Sequence, residues 1–190
     1  MAKALNKIFW GSLLVFFNFH IINFDILPNF LGYIVIYLGL KGLISYSDQF
    51  SKAKPYVLVL AAVSIPLIYQ FEVNLTEQIE ITTNSYILMA IYIVVAFVQL
   101  GFVYHFMRGL LEIAQDAPFK PFEKKTGTVL RFYIILTLVT QIITLLILIP
   151  NAFILLLTPI ILVLAIMSFI VEIILLVLIR QFRSKSLQQD

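Results

Sequence analysis

Apolar residues run almost unbroken through six segments: Ile8–Phe24, Phe30–Tyr46, Pro55–Phe71, Tyr86–Met107, Phe132–Ile149 and Ala152–Ile179. Each reaches the ~17 residues that an apolar helix needs to cross a hydrocarbon core ~30 Å thick. Together they use most of the 190 residues, leaving no room for a separate soluble domain. The pattern predicts an all-α fold, a polytopic membrane bundle of six transmembrane helices forming one integral membrane domain over residues 1–190.

The polar stretches between these segments predict the turns. Asp25-Ile26-Leu27-Pro28-Asn29 makes a tight hairpin of the first two spans. Pro28 presets a turn dihedral, and Asn29 can cap the next helix by accepting a hydrogen bond from its free N–H groups. Both spans are short, so the pair either thins the bilayer or is shielded by other helices. Ser64-Ile65-Pro66 predicts a kink in span three, because proline lacks the backbone donor. Val73, Leu75, Ile79 and Ile81 fall mostly at alternate positions in the Glu72–Ser85 connection. That spacing fits an extended flap as well as it fits a solvated acidic linker. Span four continues to about Asp116, where Pro118 and Pro121 stop it. Spans five and six turn at Pro150-Asn151, which echoes Pro28-Asn29; a parallel repeat of helix pairs and shared turn chemistry both account for it. Thr158-Pro159 adds a tilt or kink to the long sixth span.

Charge orients the bundle. All 13 Lys and Arg residues lie at one end of the spans or in alternate loops. They are Lys3, Lys7, Lys41, Lys52, Lys54, Arg108, Lys120, Lys124, Lys125, Arg131, Arg180, Arg183 and Lys185. The opposite loops hold Asp25, Glu72, Glu77 and Glu80 and no base. Basic loops stay in the cytoplasm, so both termini are expected inside a bacterial cytoplasmic membrane. The mean hydropathy of +1.03 and pI near 9.1 then reflect topology. A basic inner face meets anionic inner-leaflet lipid, and nucleic acid is not needed as a partner. Lys3 and Lys7 ahead of an apolar run mimic a signal peptide, but no small-x-small cleavage site follows. The first span is therefore expected to be retained. With no cysteine, disulfides and thiol chemistry are excluded.

Polar side chains within spans mark faces turned away from lipid, because hydrocarbon offers them no partner. On span five, Tyr133, Thr137, Thr140, Gln141 and Thr144 share one helix face. Thr137, Gln141 and Thr144 are candidates for a solute-facing wall. Interhelical hydrogen bonds, or hydroxyls bonded back to their own helix, are the structural alternative. On span one, Ser12, Phe16, Phe19, His20 and Asn23 share a face. His20, Asn23 and Asp25 together form a second candidate binding group. Gly32 and Gly39, one heptad apart on span two, permit close helix approach. Tyr33, Tyr37 and Lys41 line another face of that span, with Lys41 snorkelling to the headgroups. Glu172 is the one acid deep in a span, about 12 Å along the helix from Arg180 at 1.5 Å per residue. A charged Glu at that depth needs a partner or else stays protonated; His105 and Lys41 share its level, so a Glu172–His105 or Glu172–Lys41 pair is expected, structural in role, with proton coupling as the alternative. Gln99 lies on a different face of span four from His105 and acquires no role.

Phe119 and Phe122 beside Lys120, Lys124 and Lys125 suit the headgroup layer, where rings bury and bases meet phosphate. That connection is the expected surface for lipid or a cytoplasmic partner. Catalytic patterns are lacking: no Gly-x-Ser-x-Gly, no His-Glu-x-x-His, no paired aspartates on facing spans and no nucleotide-binding glycine pattern. The two histidines fall in opposite leaflets, so no metal site and no cofactor are expected.

The stretch from Phe9-Trp10-Gly11 through Ile26-Leu27-Pro28-Asn29-Phe30-Leu31-Gly32-Tyr33-Ile34-Val35-Ile36 resembles an uncharacterised family of small multi-pass membrane proteins of Gram-positive bacteria. In that family a Leu-Pro-Asp-Phe-Ile-Gly-Tyr-like motif follows the first span; here Asn29 stands in place of the usual Asp. The resemblance covers about the first quarter of the chain and implies no particular activity. A looser likeness, carried by Asp25 and Pro28 in the first outer turn, is to the substrate-binding subunits of energy-coupling-factor vitamin transporters. It implies a six-helix solute-binding component, although span one lacks the Ala-x-x-x-Ala docking surface of those subunits.

The expected function is non-enzymatic: an accessory, regulatory or immunity-type subunit that packs against another membrane protein. A small-solute binding or transport subunit is the alternative. A core closed by side chains would favour the first; an open polar cavity with Thr137, Gln141 and His20 would favour the second. The cysteine-free chain makes orientation directly testable. With Glu77→Cys and Lys124→Cys introduced singly, an impermeant maleimide on intact cells should label the first and spare the second; the reverse pattern would overturn the assigned orientation.

Overall fold

The computed structural model describes residues 1–16, 20–21, 24–25, 29–65, 83–115, 119–147 and 154–188. Among these the chain forms six α-helices: α1 (Ala2–Phe16), α2 (Asn29–Lys41), α3 (Gln49–Ser64), α4 (Thr83–Ala114), α5 (Glu123–Ile147) and α6 (Ile154–Leu187). A two-residue antiparallel bridge pairs β1 (His20–Ile21) with β2 (Phe24–Asp25), setting His20 opposite Asp25. A 3₁₀ turn over Lys120–Phe122 leads directly into α5.

Several boundaries depart from the hydropathy pattern. The first helix is expected to reach Phe24 but ends at Phe16. The stretch Phe17-Asn18-Phe19-His20-Ile21-Ile22-Asn23-Phe24 is rich in β-branched, aromatic and Asn residues, all weak helix formers. The second helix stops at Lys41, where Gly42, Leu43 and Tyr46 turn on short bonds to Gly39, Leu40 and Leu43. In the opposite sense, α5 starts at Glu123, well before Phe132. Glu and Lys are good helix formers, and Glu123 in the first turn complements the helix dipole. The fourth helix runs to Ala114, as the prolines beyond it require.

Each helix packs against its neighbours in sequence, and α6 returns to α1, so the six form a closed ring. The densest core lies at the basic end, where Leu5, Ile8, Leu40, Leu43, Phe50, Met107, Leu110, Leu178 and Phe182 are fully buried. Along the other halves of α4, α5 and α6 large apolar side chains face outward, Leu162 at 62% exposure and Ile135 at 61% among them. Water would not favour so continuous an apolar exterior, whereas lipid does. Three helices, within Ala90–Ala114, Lys120–Leu146 and Thr158–Leu187, are long and apolar enough to cross a membrane. By contrast α1 and α2, of 15 and 13 residues, are only about 22 and 20 Å long at 1.5 Å per residue. Phe16, the last residue of α1, packs on Phe169 near the middle of α6, with ring centroids 5.0 Å apart.

Glycine brings α1 and α2 into backbone contact. A Cβ placed on Gly32 would stand 2.8 Å from the carbonyl oxygen of Gly11, and one on Gly11 would stand 2.7 Å from that of Gly32. One heptad along, a Cβ on Gly39 would meet the Ala4 carbonyl oxygen at 2.9 Å. The expected role of Gly32 and Gly39 is thus realised, with Gly11 and Ala4 as their counterparts. Gly32→Val should cost about 1–3 kcal/mol, the usual penalty for overpacking, or prevent folding, as read by denaturant titration in mixed micelles. Gly127→Ala is the control: its Cβ would meet only Leu111 Cδ2, at 3.8 Å, and better helix propensity should leave stability unchanged or up by about 1 kcal/mol.

Candidate functional site

Regular spacing turns a polar face of each of several helices toward the ring's interior. Gln99, Phe102, Val103 and Phe106 share one side of α4, and Glu172, Leu175, Leu176 and Ile179 share one side of α6. With Ser12, Val15 and Phe16 of α1, Asn29, Tyr33 and Ile36 of α2, and Tyr133 of α5, they enclose a cavity of about 310 Å³. A smaller cavity of about 130 Å³ adjoins it, lined by Thr137, Thr140, Gln141 and Ser168 among others. Gln99, Tyr133 and Glu172 belong to both and form the shared wall. Tyr33 and Tyr133 are buried and share the wall of the large cavity with Glu172. The Tyr133 hydroxyl also lies beside the side chains of Thr137 and Gln99.

Among the described residues no cation forms an ion pair with Glu172. The expected pairings are not made. His105 turns toward α3, where its Nδ1 lies 3.0 Å from Gln49 Oε1 and its ring 5.5 Å from that of Tyr56. Because an amide oxygen only accepts, that nitrogen carries the proton. Gln49 Nε2 in turn donates to Glu112 Oε1 at 3.1 Å, and Ser47 Oγ donates to Glu112 Oε2 at 2.5 Å. This network ties the α2–α3 turn to the end of α4. Lys41 lies over the Tyr37 ring at 5.3 Å, with Lys54 over the same ring at 5.9 Å. Equal depth brought neither base to Glu172, because each points around its helix toward a different neighbour.

The solute-wall candidates divide. Thr137 and Gln141 line the smaller cavity, whereas Thr144 lines neither and donates instead to the Thr140 carbonyl at 2.9 Å. Thr140 likewise donates to the Leu136 carbonyl at 2.9 Å. Asn23 and the side chains of His20 and Asp25 lie outside the described residues, as do Pro66, the 73–81 stretch and Pro150-Asn151. Asn29 corrects another expectation: it begins α2, but its Oδ1 is buried with no hydrogen-bond partner, so it caps nothing. It lines the large cavity instead, and Gln141 Oε1 is similarly buried without a partner. Ser12 and Phe16 share the cavity as their common face suggested, while Tyr33 turns inward and parts from Tyr37 and Lys41. Gln99, without a role in the sequence pattern, is central; its spacing from Phe102 and Phe106 was the available signal. No cluster of three metal-ligating side chains occurs among the described residues.

No protein-family model, curated protein or solved structure matches this chain. Its site therefore has to be read from its own geometry.

The connection from Phe119 to Lys125 is not the open aromatic surface expected. Phe119 is only 5% exposed and stacks on Phe182, centroids 5.6 Å apart and planes at 7°. Phe122 packs on the same ring at 5.2 Å. The 3₁₀ turn that contains Pro121 sets both rings against α6. Lys120 and Lys124 remain exposed, while Lys125 donates to Gln181 Oε1 at 2.9 Å. Phe182→Ala should cost about 3–5 kcal/mol, as a buried aromatic truncation does, and Lys124→Ser less than about 0.5 kcal/mol. Equal effects in reversible unfolding would show that the clasp carries no packing energy.

Proposed function

We propose that the protein is a non-enzymatic integral membrane subunit that binds a small solute inside its helical bundle. The observation that carries this reading is the 310 Å³ cavity with Glu172, Tyr33, Tyr133, Gln99, Asn29 and Ser12 on its walls. Its size falls at the lower end of small-molecule sites, which are about 300–1,000 Å³, mostly apolar, with a few convergent polar groups. The competing reading, an accessory or immunity-type subunit, draws on the apolar exterior of α4–α6; lipid alone accounts for that exterior, and it singles out no partner.

The charge distribution supports a bacterial cytoplasmic membrane with both termini inside and all six helices embedded. The short α1–α2 hairpin satisfies this even if it enters from the basic side only as far as the bilayer's middle, since its lysines lie at its open end. Anionic inner-leaflet lipid then meets Lys120 and Lys124, which are exposed beside the clasp.

Native mass spectrometry of protein released from nanodiscs should detect one small-molecule adduct per chain. Ser12→Phe, which places a ring in the cavity, should remove it; Leu162→Phe, on the outer face, should not. Absence of any adduct on the wild-type protein, or its survival in Ser12→Phe, counts against solute binding in this cavity.

A further inference from the structure

Resting on the solute-binding reading above, we infer that the occupant is an organic amine with an apolar body, held with its ammonium against Glu172. Among the described residues Glu172 is the one carboxyl group on the walls of the two cavities, and no Lys, Arg or His lines either. Asn29 lines the large cavity and Gln141 the small one, but their partnerless oxygens have no surface open to a solute, so Glu172 is the acceptor that is left. The solute must therefore bring donors.

It should also bring positive charge. A carboxylate held among apolar side chains keeps its charge only beside a cation and is otherwise protonated, and the described residues supply no cation. An anionic solute would add like charge in a low-dielectric site, where repulsion is least screened. Tyr33 and Tyr133 line the same cavity as Glu172, and aromatic rings attract ammonium groups electrostatically. Beyond the polar wall, Phe102, Phe106 and Leu175 offer apolar surface for the rest of the solute. This asymmetry selects an amphiphilic amine over an inorganic cation, because a metal ion would require several oxygen ligands converging at one point.

The test uses three probes with one common body: 4-phenylbutylamine, 4-phenylbutanol and 4-phenylbutyrate. Binding to the full chain in phosphatidylcholine nanodiscs is measured by equilibrium dialysis, with empty nanodiscs subtracted. The amine should saturate at one per chain and bind about tenfold or more tightly than the other two, a difference of about 1.4 kcal/mol. Glu172→Gln should abolish that preference. If the variant does not fold, the ranking of the three probes on wild-type protein decides alone. Equal binding of all three, lost in Ser12→Phe, would overturn the amine assignment and leave solute binding intact. No amine binding overturns the assignment too; solute binding then survives if a native adduct is found and falls with it if none is.

Discussion

Backbone contact between α1 and α2 at Gly11, Gly32 and Gly39 sets the geometry on which the bundle depends. Between helices surrounded by hydrocarbon there is no hydrophobic gain from association, so close packing and polar contacts have to supply it. Side chains larger than hydrogen at these glycines would push the two helices apart. That separation would carry α1 away from α6, the contact that closes the ring, and would move Ser12, Asn29 and Tyr33 off the cavity wall. The short hairpin thus acts as a wedge whose tip, at Phe16, reaches the middle of α6.

Two devices at the basic end hold the frame around this wedge. One is the hydrogen-bonded path from Ser47 through Glu112 and Gln49 to His105, which joins the α2–α3 turn to α4. The other is the stack of Phe119 and Phe122 on Phe182, which joins the α4–α5 connection to α6. Both lie where packing is densest, so the cavity opens above a rigid base. Pre-formed walls reduce the ordering cost of binding, in keeping with a site that receives a small solute.

Much of the organisation was legible in the residues. Long apolar runs announced the helices, and the common face of Tyr133, Thr137 and Gln141 announced an inward wall. The glycine heptad of α2 announced a close neighbour. Less legible were the partners. Glu172, His105 and Lys41 share a depth, but depth is one coordinate of two; azimuth around each helix depends on how the ring closes. Phe119 and Phe122 have the composition of a headgroup surface, yet Phe119 is core and Phe122 packs against it, because both rings meet Phe182 of α6. Asn29 has the character of a cap, but its oxygen is buried without a partner and the residue lines the cavity.

Periodicity and composition depend on neighbours within a turn or two, so the chain alone determined the helical class, the inward stripes and the basic end. Which stripes meet is a matter of contacts between residues far apart in sequence. Only the tertiary structure could bring Gln99, Tyr133 and Glu172 to one wall and leave the acid, among the described residues, without a cation paired to it. Six helices can satisfy the same hydropathy in many rotations, and packing at the glycines and aromatic rings selects among them.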